Sequence, residues 1–250
     1  MSAVKQLGKV LALTVGGTPV YLTSVNYDDN WNLIDTTDTS NTTLHDEKVG
    51  RATRTLQIDG ILRDGSSNKI LGKTISFTFN AVTYNVTDVS YDVAQDDIDV
   101  TDTATDINST EFAAGLGKVK FTASMWMLDI TAEPAINSAQ TATLTFTSGV
   151  SVTGTMIIES KKVTGNVKDA QKVSVTGTFT TATETALGLA TGGAAQAVVL
   201  TVAPALTTIP KTFTGSAVLM SKNIKGNIKS EVTVSYTFKF AGLVTEVQAS

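Results

Sequence analysis

The sequence has 250 residues, no cysteine, a single histidine, and 23 acidic against 19 basic residues, a formal net charge of −4. That length holds one large or two small domains with a real core. The missing cysteines exclude a disulfide scaffold, a thiolate nucleophile and thiolate metal ligation, and the acidic balance argues against the basic field that a sequence-specific nucleic-acid binder needs.

Along the chain, the apolar run at residues 10–15 is shorter than the roughly 7–15 residues of a signal-peptide core, and no clean cleavage site follows, so export by that route is not expected. Leu56, Ile58, Gly60 and Leu62 then alternate with polar neighbours, which puts one buried and one exposed face on a strand. Val119, Phe121, Ala123 and Met125 do the same, as do Val173, Val175, Gly177 and Phe179, and finally Val232, Val234, Tyr236, Phe238 and Phe240. Helical signal is confined to residues 109–114, where Ser109 or Thr110 caps a turn begun by Glu111, and to residues 183–189. The apolar-leaning stretch 187–206 is too diluted by glycine, threonine and Pro204 to read as a membrane span. An all-β chain with one or two short helices is expected.

The sequence also repeats itself. "GKVLALTVGGTPVYLTSVNYDD" at Gly8 aligns without a gap to "GKTISFTFNAVTYNVTDVSYDV" at Gly72, an offset of 64, and this alignment pairs Tyr27 with Tyr91. "VTGTMIIESKKVTGNVKDAQKVSVTGTF" at Val152 matches "FTGSAVLMSKNIKGNIKSEVTVSYTFKF" at Phe213, an offset of 61, and pairs Lys161 with Lys222 and Gly165 with Gly226. The order is therefore A, B, C, D, with B a copy of A and D a copy of C. Two copies at so long a period point to duplicated β-domains, not to an open array.

The stretch "DIDVTDTATD" from Asp97 to Asp106 opens with D-x-D-x-T, the pattern of an aspartyl phosphotransferase. The repeat weakens that reading, because Leu33 stands where Asp97 does and cannot attack phosphorus. A calcium loop lacks the glycine and the closing bidentate glutamate of the EF-hand pattern. The favoured reading is local: Asp and Thr side chains bond nearby backbone at the exit from a strand. His45 lies in a polar loop far from any nucleophile-elbow sequence, and no phosphate-binding glycine loop occurs. No catalytic residue, cofactor or metal ligand is assigned. Trp31 and Trp126 are open to an interface role or to strand packing.

"IDVTDTATDINSTEFAAGLGKVKFTASMWML" resembles the first-half signature of the tail tube proteins of long-tailed bacteriophages: an I-x-x-T strand end, a polar loop, an E-F-x-x-G-L segment and an amphipathic strand. "LIDTTDTSNTTLHDEKVGRATRTLQIDGIL" is similar to a more divergent copy that keeps Glu47 and Gly50, and the 152 and 213 segments resemble the family's second half. The resemblance implies a structural, non-enzymatic major tail tube subunit with two tube-type β-sandwich or barrel domains. The simplest division nests 72–184 inside a discontinuous domain of 1–71 plus 185–250; the pairing of A with C and B with D stays open. It further implies a trimeric ring with pseudo-sixfold symmetry, stacked into a virion tail and made in the host cytoplasm. Tape measure, terminator and distal tail proteins would be partners, with DNA as non-specific cargo and no membrane. The loops after Asp35 and Asp99 exceed common lengths and suit contacts with neighbouring subunits or rings, which makes Asp35, Thr37, Asp38, His45, Glu47, Asp99, Thr101, Asp102, Asp106, Glu111 and Phe112 the candidate assembly residues. The alternative is a virion decoration, baseplate or adhesin-like β-domain that binds a host surface or carbohydrate.

Overall fold

Period-two alternation becomes strand wherever the sequence carries it. The computed structural model describes residues 8–35, 47–64, 66–100, 112–126, 134–166, 169–189, 194–204 and 211–248. Leu56, Ile58 and Leu62, then Phe121, Ala123 and Met125, then Val173, Val175 and Phe179, and the series from Val232 to Phe240 are all buried, as their alternation requires. Helix is nearly absent among the described residues, where a single 3-10 turn at Gly72–Thr74 is the only such element. Of the short helices expected at 109–114 and 183–189, residues 109–111 lie outside the described residues and the rest is not helical: residues 112–114 open a strand, residues 183–185 close another, and 186–189 follow as bends and irregular chain. The fold is all-β.

Strand pairing is antiparallel throughout. Strands β5 (Ser76–Phe79), β6 (Val82–Asp99), β7 (Phe112–Trp126), β8 (Ala139–Thr147), β9 (Val150–Asn166) and β10 (Asp169–Thr185) pair in the order β6-β5-β8-β9-β10-β7, and a further β6–β7 pairing closes the circuit. Strands β1 (Gly8–Val15), β2 (Thr18–Val20), β3 (Ser24–Asp35), β4 (Glu47–Ile61), β11 (Gln196–Pro204), β12 (Lys211–Asn227) and β13 (Thr233–Phe240) pair in the order β2-β1-β11-β12-β13-β4-β3, with β14 (Thr245–Gln248) on β12. Because β2 and β3 are consecutive, residues 21–23 complete this second circuit through the chain itself. A Cβ at Gly60 of β4 would lie 2.4 Å from the Tyr21 carbonyl, so that closure needs a glycine beneath it. The two circuits correspond step for step, with β1 placed as β5, β2 and β3 together as β6, β4 as β7, and β11, β12 and β13 as β8, β9 and β10.

The turns correspond as well. Gly16 and Gly17 join β1 to β2 with φ of +55° and +80°, and Asn80 and Ala81, 64 residues on, join β5 to β6 with φ of +49° and +64°. Two successive left-handed residues form the tight hairpin turn whose twist matches that of its strands. Beneath both circuits runs one apolar cluster from Leu13 to Phe240, in which Phe77 and Phe121 meet at 4.6 Å between ring centroids. The circuits are joined where β12 pairs with β6.

Candidate functional site

Four of the residues expected to serve assembly lie at the ends of strand ladders. Asp35 pairs in register with Glu47 across β3 and β4, and Asp99 with Phe112 across β6 and β7, so these four residues form the roots of two long hairpins. Thr37, Asp38, His45, Thr101, Asp102, Asp106 and Glu111 lie outside the described residues. On β6 the buried positions stop at Val93, and Ile98 and Val100 beyond it are 48% and 47% exposed. The β6–β7 hairpin thus runs past the core as a two-stranded ribbon. An ion pair from Lys239 of β13 to Asp97 holds its base.

Eight strands in succession, β3-β4-β13-β12-β6-β7-β10-β9, share one outer face to which each circuit contributes four. Register carries one polar row across seven of them: Ser24, Asp59, Ser235, Asn223, Asp92, Lys120 and Thr178. Ser24 and Ser235 both donate to Asp59 at 2.6 Å, Asn223 donates to Asp92, and Thr178 donates to Glu159. The hydroxyls of Ser235 and then Ser24 hold the Asp59 carboxyl below its ordinary value.

The β12–β6 junction hides a polar cluster beneath that face. Lys222 of β12 is fully buried; its ammonium pairs with Glu184 at the end of β10 and donates to the carbonyls of Leu187 (3.3 Å) and Leu189 (3.0 Å). Tyr91 of β6 donates to the other Glu184 oxygen at 2.9 Å, and the Leu189 amide donates to the Tyr236 hydroxyl at 3.3 Å. Burial lowers Lys222 while Glu184 opposes it; burial pushes Tyr236 up to about 12 and raises Tyr91 further, with the Glu184 charge adding to both. Three acceptors around one ammonium make this a built cation cradle, one that ties residues 184–189 to β12. The sequence offered one faint signal of it, the recurrence of Ser-Lys at 160–161 and 221–222.

At the two ends of the eight-strand layer, among the described residues, β3 has a partner strand only in β4, and residues 159–166 of β9 have one only in β10. The β3 end carries Asp28 and Asp29, and the β9 end Lys161 and Lys162. Arg54 Nε lies 3.3 Å from Asp29 and its guanidinium stands 5.4 Å from the Trp31 ring centre, while Lys172 covers Trp126 at 4.5 Å. Two open clefts of about 300 Å³ flank the layer, one at the junction beside Ser90, Lys225 and Asn227, the other beside Tyr21, Arg63 and Tyr236. Among the described residues no three histidine, aspartate or glutamate side chains gather as a metal site would require. No protein-family model matches the chain, and no curated protein matches it at a significant level.

Proposed function

We propose that this chain is the major tail tube subunit of a long-tailed bacteriophage, a structural protein that self-assembles and performs no catalysis. In this reading the chain is an internal duplication: residues 72–184 form one tail-tube unit, nested in a second made of 1–71 and 185–250. Three copies make a pseudo-sixfold ring, and rings stack into the channel through which DNA leaves the virion. Other tail proteins, the tape measure, terminator and distal components, are its further partners, and assembly takes place in the host cytoplasm.

The observation that carries the reading is the eight-strand layer with its polar outer face. Three copies joined edge to edge would supply about 24 strands, well beyond the 16–18 of barrels that already leave an aqueous channel. Serine, threonine and asparagine along such a wall, with Asp59 and Asp92 set against Lys120, carry no concentrated positive field of the kind that holds DNA tightly, which suits non-specific cargo. In this reading the segments that connect Asp35 to Glu47 and Asp99 to Phe112, each pair in register at a strand end, contact neighbouring subunits or rings. Support also comes from the sequence resemblance, whose segments fall on the strands that build this layer.

Sedimentation velocity over a concentration series tests the proposal. A tube subunit grows into large, polydisperse assemblies as concentration rises. A single discrete oligomer at every concentration contradicts it and favours a decoration or adhesin-like binding module.

A further inference from the structure

The β12–β6 junction is an interface already built inside the chain, and among the described residues each of its halves has a copy at a strand edge with no further partner strand. On β12 the junction uses Lys222, Asn223, Ile224 and Asn227, in register with Val93, Asp92, Tyr91 and Asp88 of β6. Shifting β12 back by 61 residues gives the open edge of β9, and shifting β6 back by 64 gives the open edge of β3.

From this correspondence we infer that β9 of one copy pairs antiparallel with β3 of the next, with Lys162 opposite Asp28, Val163 opposite Tyr27 and Asn166 opposite Ser24. The inference rests on the duplicated tail-tube reading and names the partner, the strands and the register of that assembly.

Three observations favour a second copy as the occupant. Residues buried at the internal junction are less buried at the open edges: Ile224 is 0% exposed and its counterpart Val163 is 41%, while Tyr91 is 0% exposed and Tyr27 is half-buried. Gly226 is packed against Ile75, where an added Cβ would come within 2.2 Å, but Gly165 meets nothing closer than 3.6 Å. An edge left this open is a template for another strand.

Second, the charges are complementary where the register places them. Asn223 and Asp92 share a hydrogen bond across the internal junction, and the shifted pair is Lys162 and Asp28, a cation and an anion directly opposed.

Third, the carboxylate and the tyrosine of the buried lysine's cradle have counterparts. Lys222 reaches Glu184, which pairs with Val152 of β9. The counterpart of Val152 is Phe213, and the residue in register with Phe213 is Glu246. Tyr27 packs on Phe213 at 5.2 Å, and burial first, then the charges of Asp29 and Glu246, raise its hydroxyl, as burial and then Glu184 do for Tyr91. Glu246 is held for the present by Lys211 at the surface, at 2.5 Å. In the paired state Lys161 of one copy reaches Glu246 beside Tyr27 of the next, as Lys222 reaches Glu184 beside Tyr91.

The native chain contains no cysteine, so engineered thiols report directly. The double variant Lys162→Cys/Asp28→Cys, oxidised under assembly conditions, should give a ladder of covalent multimers on a non-reducing gel that ends at a closed ring. The internal counterpart Asn223→Cys/Asp92→Cys should form a disulfide without multimers, and Lys162→Cys/Gln57→Cys, one strand further in, should stay uncrosslinked. Charge reversal gives an independent readout: Lys162→Asp or Asp28→Lys alone blocks assembly with the fold intact by circular dichroism, and the two together restore it. Assembly without the 162–28 crosslink, or without rescue by the paired reversal, overturns this register and leaves the tail tube reading standing. A protein that stays monomeric at every concentration overturns both.

Discussion

A buried lysine is tolerated when every proton on its ammonium has an acceptor, and Lys222 meets that condition with Glu184 and the carbonyls of Leu187 and Leu189. Removing the carboxylate leaves the charge without its counter-ion, so Glu184→Ala should destabilise the fold by about 3–5 kcal/mol. Adding Lys222→Met to that variant should recover much of the loss, because an apolar side chain of similar length needs no partner. Urea denaturation of the two variants measures this. Asp59 tests a second residue-scale claim. Its carboxyl is held below the ordinary value by Ser235 and Ser24, so the charged form is favoured in the folded state. Its contribution is present above the usual carboxylate pKa and is lost as pH falls through the lowered one. The melting temperature of Asp59→Asn should therefore lie below that of the parent at pH 7 and converge on it in strong acid.

Alternation carried the strands from sequence to structure because one face of each is buried, and a one-residue slip would expose a whole row of Val, Ile and Phe. Composition misled where burial does not decide. Glu, Ala and Leu in "EFAAGL" favour a helix in isolation, yet residues 112–114 pair with β6, and Gly115 and Gly117 sit where an added Cβ would crowd Asp96, Ile98 and Gln95. At 183–189 the helical pattern is broken by positive φ at Ala186 and Gly188, which lets Leu187 turn into the core. The hairpin turns offer a matched test. Gly17 has open space around it and a φ of +80°, so Gly17→Ala should cost about 1 kcal/mol from backbone strain alone. Ala81 bears that strain in the equivalent turn, and Ala81→Gly should be neutral or raise the melting temperature. Thermal melts of both variants decide it.

At the scale of the molecule, the correspondence between the two strand circuits was legible as repetition and not as chemistry. Offsets of 64 and 61 residues announced that strands would recur. They did not reveal Glu184, whose role depends on the β9–β10 ladder bringing it beneath Lys222 from a distant part of the chain. Net charge was a weaker guide: the chain is acidic overall, but on the polar face Asp59 and Asp92 stand among Lys120, Lys162 and Lys225. In the proposed tube, a wall of mixed sign would let DNA pass by balance, without needing repulsion. The measurement that tests the account most directly is negative-stain electron microscopy of the purified protein across a concentration series. Hollow tubes or stacked rings with three- or sixfold end views are the expected result. Isolated small particles at every concentration would contradict a tail tube subunit.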